Sequence, residues 1–270
     1  MSRTVYTILG CGSSGGVPRV GQGWGACDPS NPRNRRTRCA FLVERHGPNG
    51  VTRVLVDAGP DLRAQLLQAE VTHLDGIVIT HDHADHTHGL DDLRPLALHQ
   101  RRRLDVYADE TTRKTLMTRF GYCFEAPVGS AYPPILTLHG ITAGELFTIT
   151  GAGGPVAIKP FRVWHGRDYM SLGMRFNNII YCPDISRTIA EFEESFEGCE
   201  VLVIDALRDA PHPTHFTVAD ALKVVERYRP RKAILTNLHT DLDFDALSGR
   251  LPAHVEAAYD GLRFSVDHDK

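Results

Sequence analysis

Gly76-Ile-Val-Ile-Thr80 is a β-branched run that passes without a break into His81-Asp-His-Ala-Asp-His86, an H-x-H-x-D-H array. Along an extended chain the side chains at i and i+2 project to the same side, so His81 and His83 can reach one cation. Asp85 and His86 then point elsewhere, toward a second. Imidazole mixed with carboxylate suits first-row ions such as Zn²⁺, Mn²⁺, Fe²⁺ or Ni²⁺ and excludes an all-oxygen site of the Ca²⁺ type.

Four ligands do not complete two metal ions, so other parts of the chain must contribute. Three candidates each follow an expected strand: His165 after Arg162-Val-Trp164, Asp184 after Tyr181-Cys-Pro183, and His239 after Leu235-Thr-Asn-Leu238. The surrounding pattern explains why these positions can meet. Strand-like runs occur at 5–9, 39–43, 54–56, 76–80, 106–108, 158–163, 179–182, 201–204 and 233–236, and helical periodicity at 61–69, 189–196 and 217–228. In the last of these, Val218, Leu222, Val225 and Tyr228 share a face, and Thr217 with Asp220 has the form of a capping box. The unit Val54 to Asp57, helix, Gly76 to Thr80 has a counterpart in Ile180 to Asp184, helix, Val201 to Asp205. A single domain over 1–270, built from two related halves packed sheet on sheet with the site where strand ends meet, is the architecture expected.

Composition fits a globular chain of 270 residues, 42% hydrophobic and 23% charged, which excludes disorder and a membrane-spanning protein. A net charge of −3 provides no global basic field for nucleic acid. Fourteen histidines are the one excess. The six cysteines show no C-x-x-C pair or disulfide spacing, and the N-terminus reads as a first strand rather than a signal peptide, so a cytoplasmic location is expected.

Together the array, Gly10-Cys-Gly-Ser-Ser-Gly-Gly-Val-Pro18, Asn34-Arg-Arg-Thr-Arg38, Leu55-Val-Asp-Ala-Gly-Pro-Asp61, His88-Gly-Leu-Asp-Asp-Leu-Arg94 and Pro213-Thr-His215 resemble the metallo-β-lactamase superfamily. Within it, they are similar to the PhnP-like branch of phosphoribosyl cyclic phosphodiesterases. The resemblance implies an α/β four-layer αββα sandwich and two divalent ions, with His81, His83 and His165 on one, Asp85, His86 and His239 on the other, and Asp184 bridging. That branch often carries a structural zinc held by three clustered cysteines and a histidine three residues after the last active-site histidine. Here only Cys27 remains, in Gly23-Trp-Gly-Ala-Cys27, and Leu242 occupies the histidine position, so no structural zinc is expected.

Zinc or manganese, with iron or nickel as further candidates, would lower the pKa of a shared water and neutralise phosphate oxygens. The expected function is hydrolysis of a small cyclic or nucleotide-like phosphodiester through a metal-bridging hydroxide. Asp85 and His215 are assigned to catalysis, Asp85 as a ligand and His215 as the proton donor to the leaving alkoxide, in preference to His212. Asp57 is expected to orient the metal loop or to cap a turn. Ser13, Ser14, Gly15 and Gly16 are candidate phosphate contacts, since small residues permit close backbone approach. Arg33, Arg35, Arg36 and Arg38 read as a solvated face, with binding of a second phosphate or a sugar as the alternative. Arg101 to Arg103 suit a helix C-terminus. His268 is read as structural or exposed.

The expected partner is a small phosphorylated substrate or nucleotide, with no membrane and no strong nucleic-acid binding, and a homodimer is compatible with the chain. The competing functions are RNA-processing endonuclease activity of the same superfamily and iron-dependent redox or cofactor-biosynthesis chemistry.

Overall fold

In the structure, a computed structural model, residues 3–126 and 128–267 are described. Met1 and Ser2 at the head of the expected first strand, Pro127 and His268 lie outside them. The first half of the chain runs β1 (Arg3–Gly10), β2 (Ala40–Gly47), β3 (Gly50–Val56), α1 (Leu62–Gln68), β4 (Gly76–Val78), α2 (Ala84–Thr87), α3 (Arg94–Gln100), β5 (Leu104–Ala108), α4 (Glu110–Phe124) and β6 (Leu136–Gly140). It is followed by β7 (Phe147–Gly151), β8 (Gly154–Trp164), β9 (Met170–Phe176), β10 (Ile179–Cys182), β11 (Val201–Asp205), α5 (Val218–Tyr228), β12 (Lys232–Thr236), α6 (Phe244–Ser248), β13 (Val255–Ala257) and β14 (Leu262–Asp267).

Two seven-stranded sheets result, ordered β14-β1-β2-β3-β4-β5-β6 and β13-β12-β11-β10-β9-β8-β7. Each is antiparallel on one side and parallel on the other: β3, β4, β5 and β6 are parallel in the first, and β10, β11, β12 and β13 in the second. The stretches that repeat in the sequence occupy matching places, as neighbouring parallel strands, in the two sheets. β3-α1-β4 and β10 to β11 are the same parallel crossover, except that the second is spanned by a tighter 3₁₀ segment, Ala190–Phe196, in place of an α-helix.

Alternation along the strands builds three apolar layers. Phe41 and Val43 of β2 and Val201 and Val203 of β11 face the space between the sheets, where the Phe41 and Tyr181 rings stack at 4.5 Å and 4°. Their neighbours Ala40 and Leu42 turn outward beneath α1, α3 and α4, while Leu202 and Ile204 turn outward beneath α5. Strands apolar on both faces are what a sheet covered by helices requires, and the αββα sandwich follows. On α5 the capping box forms: Thr217 Oγ1 accepts from the Asp220 amide at 3.1 Å, and Asp220 accepts from the Thr217 amide at 3.3 Å. Its buried stripe is Val218, Ala221, Val224 and Val225, with Leu222 and Tyr228 half-buried at the edge. Arg101 caps α3 in the left-handed region, as its position in the basic run suggests.

Candidate metal centre

The metal loop begins where β4 ends. His83 is still extended (φ −65°, ψ 153°) and caps α2, whose first turn carries Asp85 and His86. This change from strand to helix separates the side chains of His81 and His83 from those of Asp85 and His86.

Beneath the loop, Asp57 is fully buried and sits on left-handed backbone at φ 68°. One carboxylate oxygen accepts from the Thr80 amide at 2.8 Å, and the other accepts from His86 Nδ1 at 2.7 Å. That bond fixes the His86 tautomer and leaves Nε2 for the site, 3.1 Å from Asp184 and 3.4 Å from Asp85. Asp57 thus orients the loop. The adjoining Gly59 has no room for a side chain, because a Cβ there would lie 2.0 Å from the Asp85 carbonyl oxygen.

The second sheet supplies the opposite wall. His165, one residue beyond β8, donates Nδ1–H to the Thr214 carbonyl at 2.7 Å and turns Nε2 to within 3.2 Å of His83. Asp184 follows β10, Asp205 ends β11 and His239 follows β12. Three overlapping donor groups form among the described residues, each with its atoms within 4.8 Å of one another: His81, His83 and His165; His81, His86 and Asp184; His165, Asp184 and His215.

The buried Nε2 of His81 has no hydrogen-bond partner, and one Asp184 oxygen makes no hydrogen bond although His86 lies close. Orphaned lone pairs at such depth are costly unless a cation takes them, so the donor set fits divalent metal ions.

Burial, with help from His86, pushes His81 well below the usual imidazole range, and burial pushes His165 to about 4, so both offer free lone pairs at neutral pH. Burial also opposes charge on His86, but Asp184, Asp57 and Asp85 overcome it and hold the ring protonated. A cation replaces that proton when it binds. His215 behaves in the same way: burial works against its charge, yet Asp205 raises it to about 9, with Nδ1 held 2.8 Å from the Asp205 carboxylate.

The structure brings His81, His83, His86, His165, Asp184 and His215 together in these groups, while Asp85 is in none of them and stands beside them, 3.4 Å from His86 Nε2. His239 is outside these groups; its Nε2 lies 2.5 Å from a terminal nitrogen of Arg19. His212 uses Nδ1 to accept from the Thr214 amide at 3.3 Å and has no carboxylate partner among the described residues. The Ser13 to Gly16 turn is tied to the His239 loop through the Ser13 amide and the Leu238 carbonyl, at 3.3 Å. The arginine run is not a solvated face throughout. Arg36 is 1% exposed and donates to the His239 and Leu242 carbonyls at 3.2 and 2.8 Å, Arg38 pairs with Asp61 at 2.9 Å, and Arg33 and Arg35 lie over aromatic rings.

Three site residues lack a local signal in the sequence. Tyr169 stacks on His83 at 4.8 Å, and Arg19 meets His239 across 220 positions. Asp205 shows in the sequence only as the strand-end partner of Asp184 in the repeat.

Residues 52–237 match the family model of the beta-lactamase superfamily domain. A solved structure described as a new diphosphatase from the PhnP family is 33% identical, with a TM-score of 0.87 over 98% of each chain. Zn²⁺-bound PqqB from Methylobacterium extorquens shares the fold at 16% identity and a TM-score of 0.73, over 96% of this chain and 99% of its own. A curated protein of Porphyromonas gingivalis named octanoyltransferase is 32% identical over 96% of this chain and 51% of its own. The chain thus spans about half the length of that relative, and the name describes the longer protein.

Proposed function

Since the chain belongs to the metallo-β-lactamase superfamily, in its PhnP-like branch, we propose that it is a dinuclear metal-dependent phosphodiesterase acting on a small cyclic or nucleotide-like phosphodiester. His81, His83 and His165 would hold one ion and Asp85, His86 and His239 the other, with Asp184 shared. Bound divalent ions, zinc or manganese first, supply a water of lowered pKa and neutralise phosphate oxygens.

The observation that carries the proposal is the His215–Asp205 pair beside those donors. Phosphodiester cleavage releases an alkoxide, a poor leaving group unless it is protonated. His215 Nδ1–H donates to Asp205, which leaves Nε2–H to be delivered to the departing oxygen, and with a pKa near 9 the ring still carries its proton at neutral pH. The His215 ring centroid lies 4.7 Å from that of His165, so the donated proton starts next to the cation site. Asp205 is fully buried and also accepts from the Ile185 amide at 3.1 Å, so the acid is held in one orientation. Support for phosphorus chemistry also comes from the 33%-identical relative described as a diphosphatase.

The test is an assay of protein reconstituted separately with zinc and manganese against cyclic phosphates, nucleotide diesters and a chromogenic diester. Metal-dependent release of a phosphomonoester is expected. Turnover confined to thioesters would overturn the proposal.

A further inference from the structure

We propose that Tyr169 is a positioning residue for the ion held by His81, His83 and His165: its ring is the surface on which the His83 imidazole is held flat, and it thereby sets the affinity for that one ion. The inference rests on the dinuclear-metal part of the function proposed above and not on its substrate.

His83 is the member of this group that lacks a hydrogen-bonded anchor. His81 Nδ1 lies 3.0 Å from Thr80 Oγ1, and His165 Nδ1 lies 2.7 Å from the Thr214 carbonyl, so each ring has one nitrogen tied and the other left for the site. His83 turns Nδ1 toward the site, 3.2 Å from His165 Nε2, and its own Nε2 has no hydrogen-bond partner among the described residues. It is also the exposed member of the three. An exposed imidazole untied at its outer end keeps rotamer freedom that ion binding must remove.

A ring face stands in place of the missing anchor. Tyr169 lies parallel to His83, at an angle of 5° with centroids 4.8 Å apart. The same ring meets His165 at 5.9 Å and His81 at 6.0 Å, both edge to face. All three imidazoles of this group therefore pack on one tyrosine. No described hydrogen bond or ring contact joins Tyr169 to His86, Asp184 or His239, so its influence falls on one ion and not the other.

The tyrosine is itself fixed from both halves of the sandwich. Its carbonyl accepts from the His165 amide at 2.9 Å, closing the turn between β8 and β9. Its hydroxyl donates to the carboxylate of Asp82, which stands between His81 and His83 in the metal loop, and the Asp82 amide donates back to it at 3.4 Å. Arg119 of α4 in turn donates to the Asp82 carbonyl. With its hydroxyl engaged in this way, Tyr169 offers a platform of fixed orientation.

The test is a Co²⁺ titration of chelator-treated full chain, followed by the visible absorption of the bound ion. His83→Ala identifies the binding step that belongs to this group. Tyr169→Leu removes the ring face and is expected to weaken that step about 10- to 100-fold, the range for loss of a residue that orients a metal ligand, while the other step is unchanged. Tyr169→Phe keeps the face and loses only the hydroxyl, so it restores most of the affinity. The melting temperature of the metal-free protein is expected to stay at the wild-type value in both variants; a fall that comes with equal weakening of both steps marks a packing role and overturns the inference. An unchanged step in Tyr169→Leu, or a loss in Tyr169→Phe as large as that in Tyr169→Leu, also overturns it. If the wild type takes up no Co²⁺, the metal centre and this inference fall together. If it shows these differences but cleaves no diester, the function proposal fails on its substrate and the role of Tyr169 stands.

Discussion

Asp205 accepts a 2.8 Å hydrogen bond from His215 Nδ1 in a pocket where the carboxylate is fully buried and the imidazole nearly so. Burial alone would discharge both groups. Instead His215 is raised to about 9, and burial pushes Asp205 up to about 6 against the pull of His215, so the pair keeps a proton throughout the neutral range.

Because the acid form of His215 dominates below its raised pKa, turnover of poor leaving groups should be sustained through neutrality and fall as pH rises through about 9. Asp205→Asn removes the largest stabiliser of the charged ring, so the falling limb should move toward the ordinary imidazole value, by more than about one pH unit. His215→Ala should retain metal but lose about 10²- to 10⁴-fold in kcat on an alkyl leaving group, and much less on 4-nitrophenolate, which needs no proton. Equal losses on the two leaving groups would exclude an acid role.

Asp57 holds Thr80 and His86 from a left-handed backbone position. Asn tolerates that conformation but presents an amide nitrogen to one of two donors, so Asp57→Asn should weaken metal affinity about 10- to 100-fold, measured by competition with a chromogenic chelator. Asp57→Ala abandons both donors in a dry interior and should also lower folding stability by about 2–4 kcal/mol in urea melts.

Arg36 fastens the His239 loop to the segment around Cys27 through the His239 and Leu242 carbonyls, Asn34 and the Cys27 sulfur. Arg36→Met restores volume but none of the donors. A loss of about 2–4 kcal/mol is expected, with metal affinity at the His239 side falling while that of the His81, His83 and His165 group is retained. Mass spectrometry of native protein should resolve the two occupancies.

Stripping metal with a chelator should lower the melting temperature, and readdition should restore it, because ions that bind only the folded donors stabilise by mass action. Metal analysis should give about two ions per chain if Asp184 is shared between two ions as proposed. Clearly more than two would contradict the expectation that Cys27 and Leu242 leave no structural zinc.

What could be read from the sequence follows the range of the interactions involved. H-x-H-x-D-H is legible because its spacing is set by one local change, from the end of β4 to the first turn of α2. The parallel crossovers are legible because each buried strand is a dense β-branched run. α4 left no trace: over fifteen residues it buries only Thr112, Leu116, Cys123 and Phe124, too few for a 3.6-residue stripe to stand out. β14 joins β1 from the far end of the chain, a pairing no local pattern encodes. Arg36 reads as surface in the sequence because a run of arginines ordinarily is, and only a neighbouring loop presenting bare carbonyls makes its burial tolerable. Arg19 and Tyr169 were silent for a similar reason, since each acquires its role from a histidine far away in sequence.

The stacked Phe41 and Tyr181 rings belong to different sheets. Since His81 and His83 ride on one sheet and His165 and Asp184 on the other, the cation pocket acts as a caliper set across the sandwich. Any change in how those two rings nest should register as altered ion affinity, with no ligand touched, so the metal reports on the register of a hydrophobic core it never meets.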